Sequence, residues 1–308
     1  MPEPYAPFDL DTDPARFGLG STTLTLDAGT VVARHPLVRG SDTATVFLHG
    51  AAGSWTTWTP LLDAAAERRA DLGDTVLLDL PGWGSAPWTG GDATSVDELA
   101  SLIAASVTGL GYDRVRIVGH SMGAFIALHL AATRPGIVES VILVSPTGHS
   151  VVEAVASARS GLRRIPGFVL LRGAMLALAP VDGFGRALIR GTGRIGLLRV
   201  FAAPLFRHPF AIGRHAVDAI STEMRPAAFI RATRAALGYV ADESWARISC
   251  AVTASKGDRD VFTADYDLER LVAAVPHAVV TEIADCGHFA NIERPFDVLA
   301  LMDHGFRR

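Results

Sequence analysis

Short apolar runs that recur with helical stretches between them constrain this chain more than any other feature of it. Residues 45–49, 75–79, 114–119 and 140–145 each hold a short apolar run and read as strands buried on both faces. Residues 61–69, 95–108 and 121–133 lie between them and read as helices. Strand-helix alternation of this kind implies a parallel sheet with right-handed crossovers. Ahead of it, residues 22–27 and 30–37 alternate around Ala28-Gly29 and predict an antiparallel hairpin.

The rhythm stops after Pro146. Residues 149–247 carry helical patterns broken by Gly and Pro and no convincing strand. It then resumes with a strand over 250–255, a helix over 263–273, a strand over 278–284 and a helix over 295–304. We therefore expect an α/β core made of residues 1–148 and 248–308, with a mostly parallel central sheet flanked by helices. A helical cap, residues 149–247, is inserted after the sixth strand. No internal repeat or low-complexity tract interrupts this plan.

Composition narrows the function classes. With 308 residues, 49% apolar and 19% charged, the chain suits a globular domain rather than a disordered one. A net charge of −4 gives no reason to expect a nucleic-acid partner. All the basic residues but Lys256 are Arg, a bias that a GC-rich genome produces by codon usage alone. The insertion holds 14 Arg and no Lys against 6 Asp and Glu, a formal charge of +8 that leaves −12 on the rest. A basic, apolar cap could favour anionic substrates or a membrane surface. The plainer expectation is that its arginines solvate exposed faces and pair with core carboxylates.

Cys250 and Cys286 form no CxxC pair, so neither a disulfide framework nor a zinc knuckle is expected, and a reducing compartment fits. The first ten residues lack the basic start and apolar stretch of a signal peptide. The most apolar window, residues 168–180, is too short to span a bilayer and contains Arg172. A cytoplasmic monomer or homodimer with no stable membrane insertion is the expectation.

The sharpest local signal is Gly119-His120-Ser121-Met122-Gly123, between an apolar strand and an apolar helix. A serine in a tight strand-to-helix turn holds its hydroxyl above the sheet edge, and Gly119 and Gly123 are the small neighbours such crowding demands. The helix start also aims free N–H groups and a positive dipole end at that spot. Serine needs a base, and the base needs an orienting acid. His288, directly after the last strand in Cys286-Gly287-His288-Phe289, is the best placed of the ten histidines, because ligand chemistry gathers at the carboxyl ends of parallel strands. His120 adjoins the serine and points elsewhere; His129 falls inside a helix; His35, His149, His208, His215, His277 and His304 have no evident partner. The acid should follow another strand end. Ser255-Lys256-Gly257-Asp258-Arg259-Asp260 offers two, with Asp260 preferred because it lies beyond the turn and Asp258 as the alternative. Asp285 shares a loop with His288 and makes a poor orienter.

These motifs resemble those of lid-bearing α/β-hydrolases of the esterase, lipase and lactonase branch. Four match in order: His49-Gly50-Ala51-Ala52-Gly53-Ser54, Asp79-Leu80-Pro81-Gly82-Trp83-Gly84-Ser85, the serine turn, and Gly287-His288 followed by Glu293-Arg294-Pro295. The resemblance covers residues 45–148 and 250–304, with the insertion where that family carries its cap. It implies a catalytic triad in the order Ser121, Asp260, His288. It also implies an oxyanion hole formed by the N–H groups of Ala51 and Met122, with His49, Gly50, Gly119 and Gly123 supporting the motifs. Trp55 and Trp58 read as packing residues, and residues 79–85 as part of the site's floor.

The implied activity is hydrolysis of an ester, lactone or thioester of a small apolar substrate, without cofactor or metal. A serine at position 121 argues against haloalkane dehalogenase or epoxide hydrolase chemistry, whose relatives use an aspartate there. C–C bond hydrolases of β-diketones share the same triad and are the enzymatic alternative. A hydrolase-fold receptor that binds without turnover is the non-enzymatic one. Residues 168–179 and 229–239 would line an acyl pocket. Gly191-Thr192-Gly193-Arg194-Ile195-Gly196 spells the dinucleotide fingerprint, but no strand leads into it and Arg214 stands where an acid is needed. Lys256 is followed by Gly, so no Walker A loop is present, and no HExxH or His/Cys/carboxylate cluster suggests a metal.

Overall fold

The fold comes from a computed structural model that describes residues 3–89, 95–201 and 203–306. Strands β1 (Leu19–Leu26), β2 (Gly29–Pro36), β3 (Thr43–Leu48), β4 (Asp74–Asp79), β5 (Arg114–His120), β6 (Val138–Val144), β7 (Ala251–Gly257) and β8 (Val279–Ile283) form one sheet. Its order is β1-β2-β4-β3-β5-β6-β7-β8. The β1–β2 hairpin and the β2–β4 pair are antiparallel, and every other neighbour pair is parallel. Helices α1 (Thr59–Arg68), α2 (Val96–Gly109) and α3 (Met122–Thr133) follow β3, β4 and β5 in turn. The helix starts obey local chemistry: Ser95 and Glu98 form a reciprocal capping box ahead of α2.

Period-two alternation along the central strands fills two apolar layers. Val46, Leu48, Val76, Leu78, Ile117 and Val141 face α2 and α3. Phe47, Leu77, Val118, Ile142 and Val144 face the other way, with Trp55 and Trp58 beneath α1. Helix α3 is buried from Gly123 to Ala132, which explains why its sequence is apolar all round.

Between β6 and β7 the chain makes α4 (His149–Ala156), α5 (Ala158–Arg164), α6 (Pro166–Leu178), α7 (Asp182–Arg194), α8 (Leu198–Phe201), α9 (Arg214–Glu223), α10 (Pro226–Ala235) and α11 (Ala241–Trp245). No strand occurs there among the described residues. The insertion has an apolar cluster of its own, and Phe262, Phe289 and Ile292 of the core pack into it. The chain closes with α12 (Asp265–Ala274), α13 (Ala290–Glu293) and α14 (Pro295–Phe306). The fingerprint-like glycines Gly191 and Gly193 sit in the last turn of α7, not in a strand-to-helix turn, so they do not form a phosphate loop.

Candidate active site

Ser121 sits at the junction of β5 and α3 with φ 53° and ψ −114°, a backbone that L-residues rarely adopt. Strain of this kind costs about 1–3 kcal/mol and must be held by its surroundings. The Ser121 N–H donates to the Val144 carbonyl at 3.0 Å. Its own carbonyl accepts from Ala124 N at 3.1 Å, Phe125 N at 3.2 Å and the Thr147 hydroxyl at 3.2 Å. The glycines around it are required by close approach. A Cβ on Gly119 would lie 2.7 Å from the Ala124 backbone, and one on Gly50 would lie 2.9 Å from the Ser121 Cβ. A Cβ on Gly123 would collide with the Leu48 carbonyl oxygen, a backbone atom of β3 that cannot swing aside. Gly123→Ala should therefore destabilise the fold by about 3 kcal/mol. A denaturant midpoint unchanged from the parent would show that the turn is not packed this way.

Three side chains from separate loops meet above the sheet. His288 Nε2 lies 3.0 Å from Ser121 Oγ, and His288 Nδ1 lies 3.0 Å from both carboxylate oxygens of Asp260. All three residues are buried. Asp260 follows β7, and its Oδ1 also accepts from the N–H groups of Phe262 at 2.8 Å and Thr263 at 3.1 Å. Burial works to raise the Asp260 pKa, but the charge and hydrogen bond of His288, together with the Phe262 N–H, outweigh it and lower it to about 2. The alternative acid, Asp258, does not face the imidazole; its Oδ1 accepts from Cys286 N at 3.0 Å and so fastens the His288 loop to the end of β7. Asp285 binds Arg294 at 2.5 Å and His208 at 2.8 Å, away from the imidazole.

The serine faces two unspent donors. Among the described residues, neither the Ala51 N–H nor the Met122 N–H has an acceptor, and both residues line the cavity in front of Ser121. Met122 N opens α3, so the helix dipole adds positive potential there. The Ala51 loop is held by His49, whose Nδ1–H donates to the Gly50 carbonyl at 2.8 Å while Nε2 accepts from Leu80 N at 3.0 Å. Burial lowers the His49 pKa, so the ring serves as a neutral bridge. His120 is also neutral: burial, then the neighbouring His288 charge, lowers it to about 3, and its Nε2–H donates to the His288 carbonyl at 2.9 Å. Asp79, completely buried, accepts from Trp55 N and Ser85 N, each at 2.9 Å, and pairs with Arg34 at 3.2 Å.

Glu293, which the sequence offers only as part of the Glu293-Arg294-Pro295 motif, is completely buried. Its carboxylate accepts from Gly287 N at 2.9 Å and Phe289 N at 3.1 Å, on either side of His288. It also accepts from Arg207 N of the insertion at 2.8 Å and from the Tyr5 hydroxyl at 2.7 Å. The Leu205 carbonyl in turn accepts from His288 N at 2.8 Å. One buried acid thus holds the histidine loop, the insertion and the N-terminal segment together. Burial raises its pKa. Glu293→Gln would set an NH2 against at least one of these donors, at a cost of about 1–3 kcal/mol. We expect a lower urea midpoint and slower turnover together; loss of neither would mean that the carboxylate is not needed to shape the loop.

The cavity before Ser121 is almost wholly apolar. The core contributes Leu99, Phe125 and Phe262, and the insertion contributes Phe168, Met224 and Phe229. No Arg, Lys, Asp or Glu occurs among the described residues that line it. As the sequence pattern predicts, α6 and α10 form part of this wall. Several arginines of the insertion bind groups outside the cavity. Arg225 donates to the Gly82 and Gly84 carbonyls, each at 2.9 Å, while Glu223 accepts from Gly84 N at 2.8 Å. Arg207 pairs with Asp285 across to the core at 3.3 Å. Some histidines without an evident partner in sequence find long-range ones, as His149 does with Asp242 at 2.7 Å. Among the described residues no group of His, Cys, Asp and Glu could hold a metal ion.

Comparison with known proteins agrees with this architecture. The chain is 36% identical over 123 residues to the dihydrolipoyllysine-residue acetyltransferase component of the acetoin cleaving system of Cupriavidus necator, covering 40% of this chain and 31% of that protein. It is 34% identical over 116 residues to the soluble epoxide hydrolase of a Corynebacterium species, covering 36% and 37%. It thus spans less than two-fifths of the length of these relatives. The naproxen esterase of Bacillus subtilis superposes with a TM-score of 0.66 over 93% of this chain and 91% of that one; at 15% identity this likeness concerns the fold alone. The model of the alpha/beta hydrolase family matches residues 45–301, and the chain belongs to that family.

Proposed function

We propose that this protein is a serine hydrolase that cleaves a carboxylic ester, lactone or thioester of a small apolar substrate through an acyl-enzyme. One observation carries the reading: a serine, an imidazole and a carboxylate linked at 3.0 Å open into a cavity walled by apolar side chains. In the proposed cycle Ser121 Oγ attacks the substrate carbonyl while His288 Nε2 takes its proton. Asp260 holds the ring so that Nε2 presents a lone pair, and it offsets the positive charge that develops. The N–H groups of Ala51 and Met122 receive the tetrahedral oxyanion; one such donor contributes about 3–4 kcal/mol in the transition state. His288 then protonates the leaving group and activates water to release the acid.

The lining argues for a neutral acyl group, since a carboxylate placed there would be desolvated with no cation to meet it. A panel of p-nitrophenyl esters tests this. Neutral acyl esters should be turned over, and the hemisuccinyl ester should be disfavoured about a hundredfold or more in kcat/KM. Cleavage of a β-diketone with no ester turnover would overturn the ester reading. Labelling of Ser121 by a fluorophosphonate without turnover of any substrate would instead favour a binding protein.

A further inference from the structure

The insertion turns apolar side chains outward on helices whose inward faces are already packed. On α7, Gly185, Ile189 and Gly193 recur every four residues and are buried. The opposite face carries Phe184, 66% exposed, and Leu188, 49% exposed. Arg186, Arg190 and Arg194, again four apart, line one flank between them. On α6, Phe168 and Met175 point inward, while Leu170, Ala174, Leu176 and Ala177 are exposed and Arg172 is the helix's sole charge. Ile195, just beyond α7, is 76% exposed. Single exposed apolar residues are ordinary, but whole outward faces on adjoining helices are not.

We propose that α6 and α7 dock this protein on an anionic lipid bilayer, with their outward faces at the acyl boundary and the flanking arginines among the phosphates. An apolar face edged by Arg is the arrangement of a helix lying in the headgroup region. Charge selects the occupant. The insertion carries +8 in formal charge, and Arg159, Arg163, Arg190 and Arg194 have no carboxylate in ion-pair range among the described residues. A second copy docked through the same face would set +8 against +8, whereas an anionic surface satisfies both the charge and the apolar area.

Residues Pro166–Arg194 are long and apolar enough to cross a membrane. They lie on it rather than through it, because the helical path breaks at Val181, with ψ 44°, and Phe168, Met175 and Ile189 pack into the insertion's own cluster. Phe168 and Leu171 of α6 also line the cavity, so a single helix would separate the bilayer from Ser121.

The test is sedimentation with vesicles of phosphatidylcholine alone or with about 30 mol % phosphatidylglycerol. The parent protein should sediment with the anionic vesicles and less so at high salt. The exposed pair Phe184→Asp/Leu188→Asp and the pair Arg190→Gln/Arg194→Gln should each weaken partitioning about tenfold. Both should hydrolyse a soluble short-chain ester as the parent does. Docking does not rest on the proposed chemistry, so Ser121→Ala protein should bind vesicles unchanged. Failure of the parent to bind, undiminished binding by both double variants, or a dimer that Phe184→Asp/Leu188→Asp dissociates would overturn the proposal.

Discussion

Ser121→Ala is expected to lower ester turnover by about four orders of magnitude or more while leaving the fold intact. Removing Oγ takes away the atom placed 3.0 Å from His288 Nε2, and no other hydroxyl is in hydrogen-bond contact with that nitrogen among the described residues. The cost to stability is small, because the strained backbone at position 121 is held by its own N–H and carbonyl rather than by its hydroxyl. Loss of one hydrogen bond changes stability by about 1 kcal/mol. Activity and unfolding should therefore part company in this variant. Residual turnover would come from the Ala51 and Met122 donors and from binding alone. Turnover near the parent's would remove Ser121 from the mechanism.

Asp260→Asn should cost about 10⁴-fold in kcat with little change in KM. An amide at position 260 has one oxygen, and the Phe262 and Thr263 N–H groups already claim it, since both donate to Oδ1. Its NH2 is then left facing His288 Nδ1. The ring can accept that hydrogen bond only as the tautomer protonated on Nε2, which turns an N–H rather than a lone pair toward Ser121. The same residue carries a pH signature. Burial opposes its charge, yet the contacts of His288 and the adjoining donors hold its pKa at about 2, below the ordinary 3.8. A carboxylate depressed on folding contributes stability that is fully present above its unfolded value and is lost as pH falls through the folded one. Asp260 therefore stabilises the fold above about pH 4 and stops doing so toward pH 2. Asp260→Asn should flatten that part of the acid-unfolding curve, and a profile identical to the parent's would contradict the assigned ionisation.

Much of this architecture was legible because its signals are local. A central strand must be apolar on both faces, and a serine turned above a sheet edge must have glycines beside it; both requirements are written in neighbouring residues. The order of serine, acid and histidine could be read because each follows a strand end. What escaped reading depends on contacts across the chain. Glu293 stands out in sequence as part of the Glu293-Arg294-Pro295 motif, but its task does not, because only the fold brings Tyr5, Arg207, Gly287 and Phe289 to it. Arg34 and Asp79 are 45 residues apart and completely or nearly buried as a pair, a partnership that no periodicity announces. The insertion was legible as helix but not as surface. Its apolar positions serve two faces at once, so a pattern that ordinarily marks the core also marks the outside of α6 and α7.

The proposed mechanism requires a covalent bond between substrate and Ser121. Rapid mixing with a neutral p-nitrophenyl ester, quenched in acid and followed by peptide mass spectrometry, measures that bond directly. A burst of p-nitrophenol close to one per active site and an acyl mass on the peptide that carries Ser121 are expected, both absent from Ser121→Ala. Steady hydrolysis with no adduct on that peptide, or an adduct on another residue that survives Ser121→Ala, would contradict it.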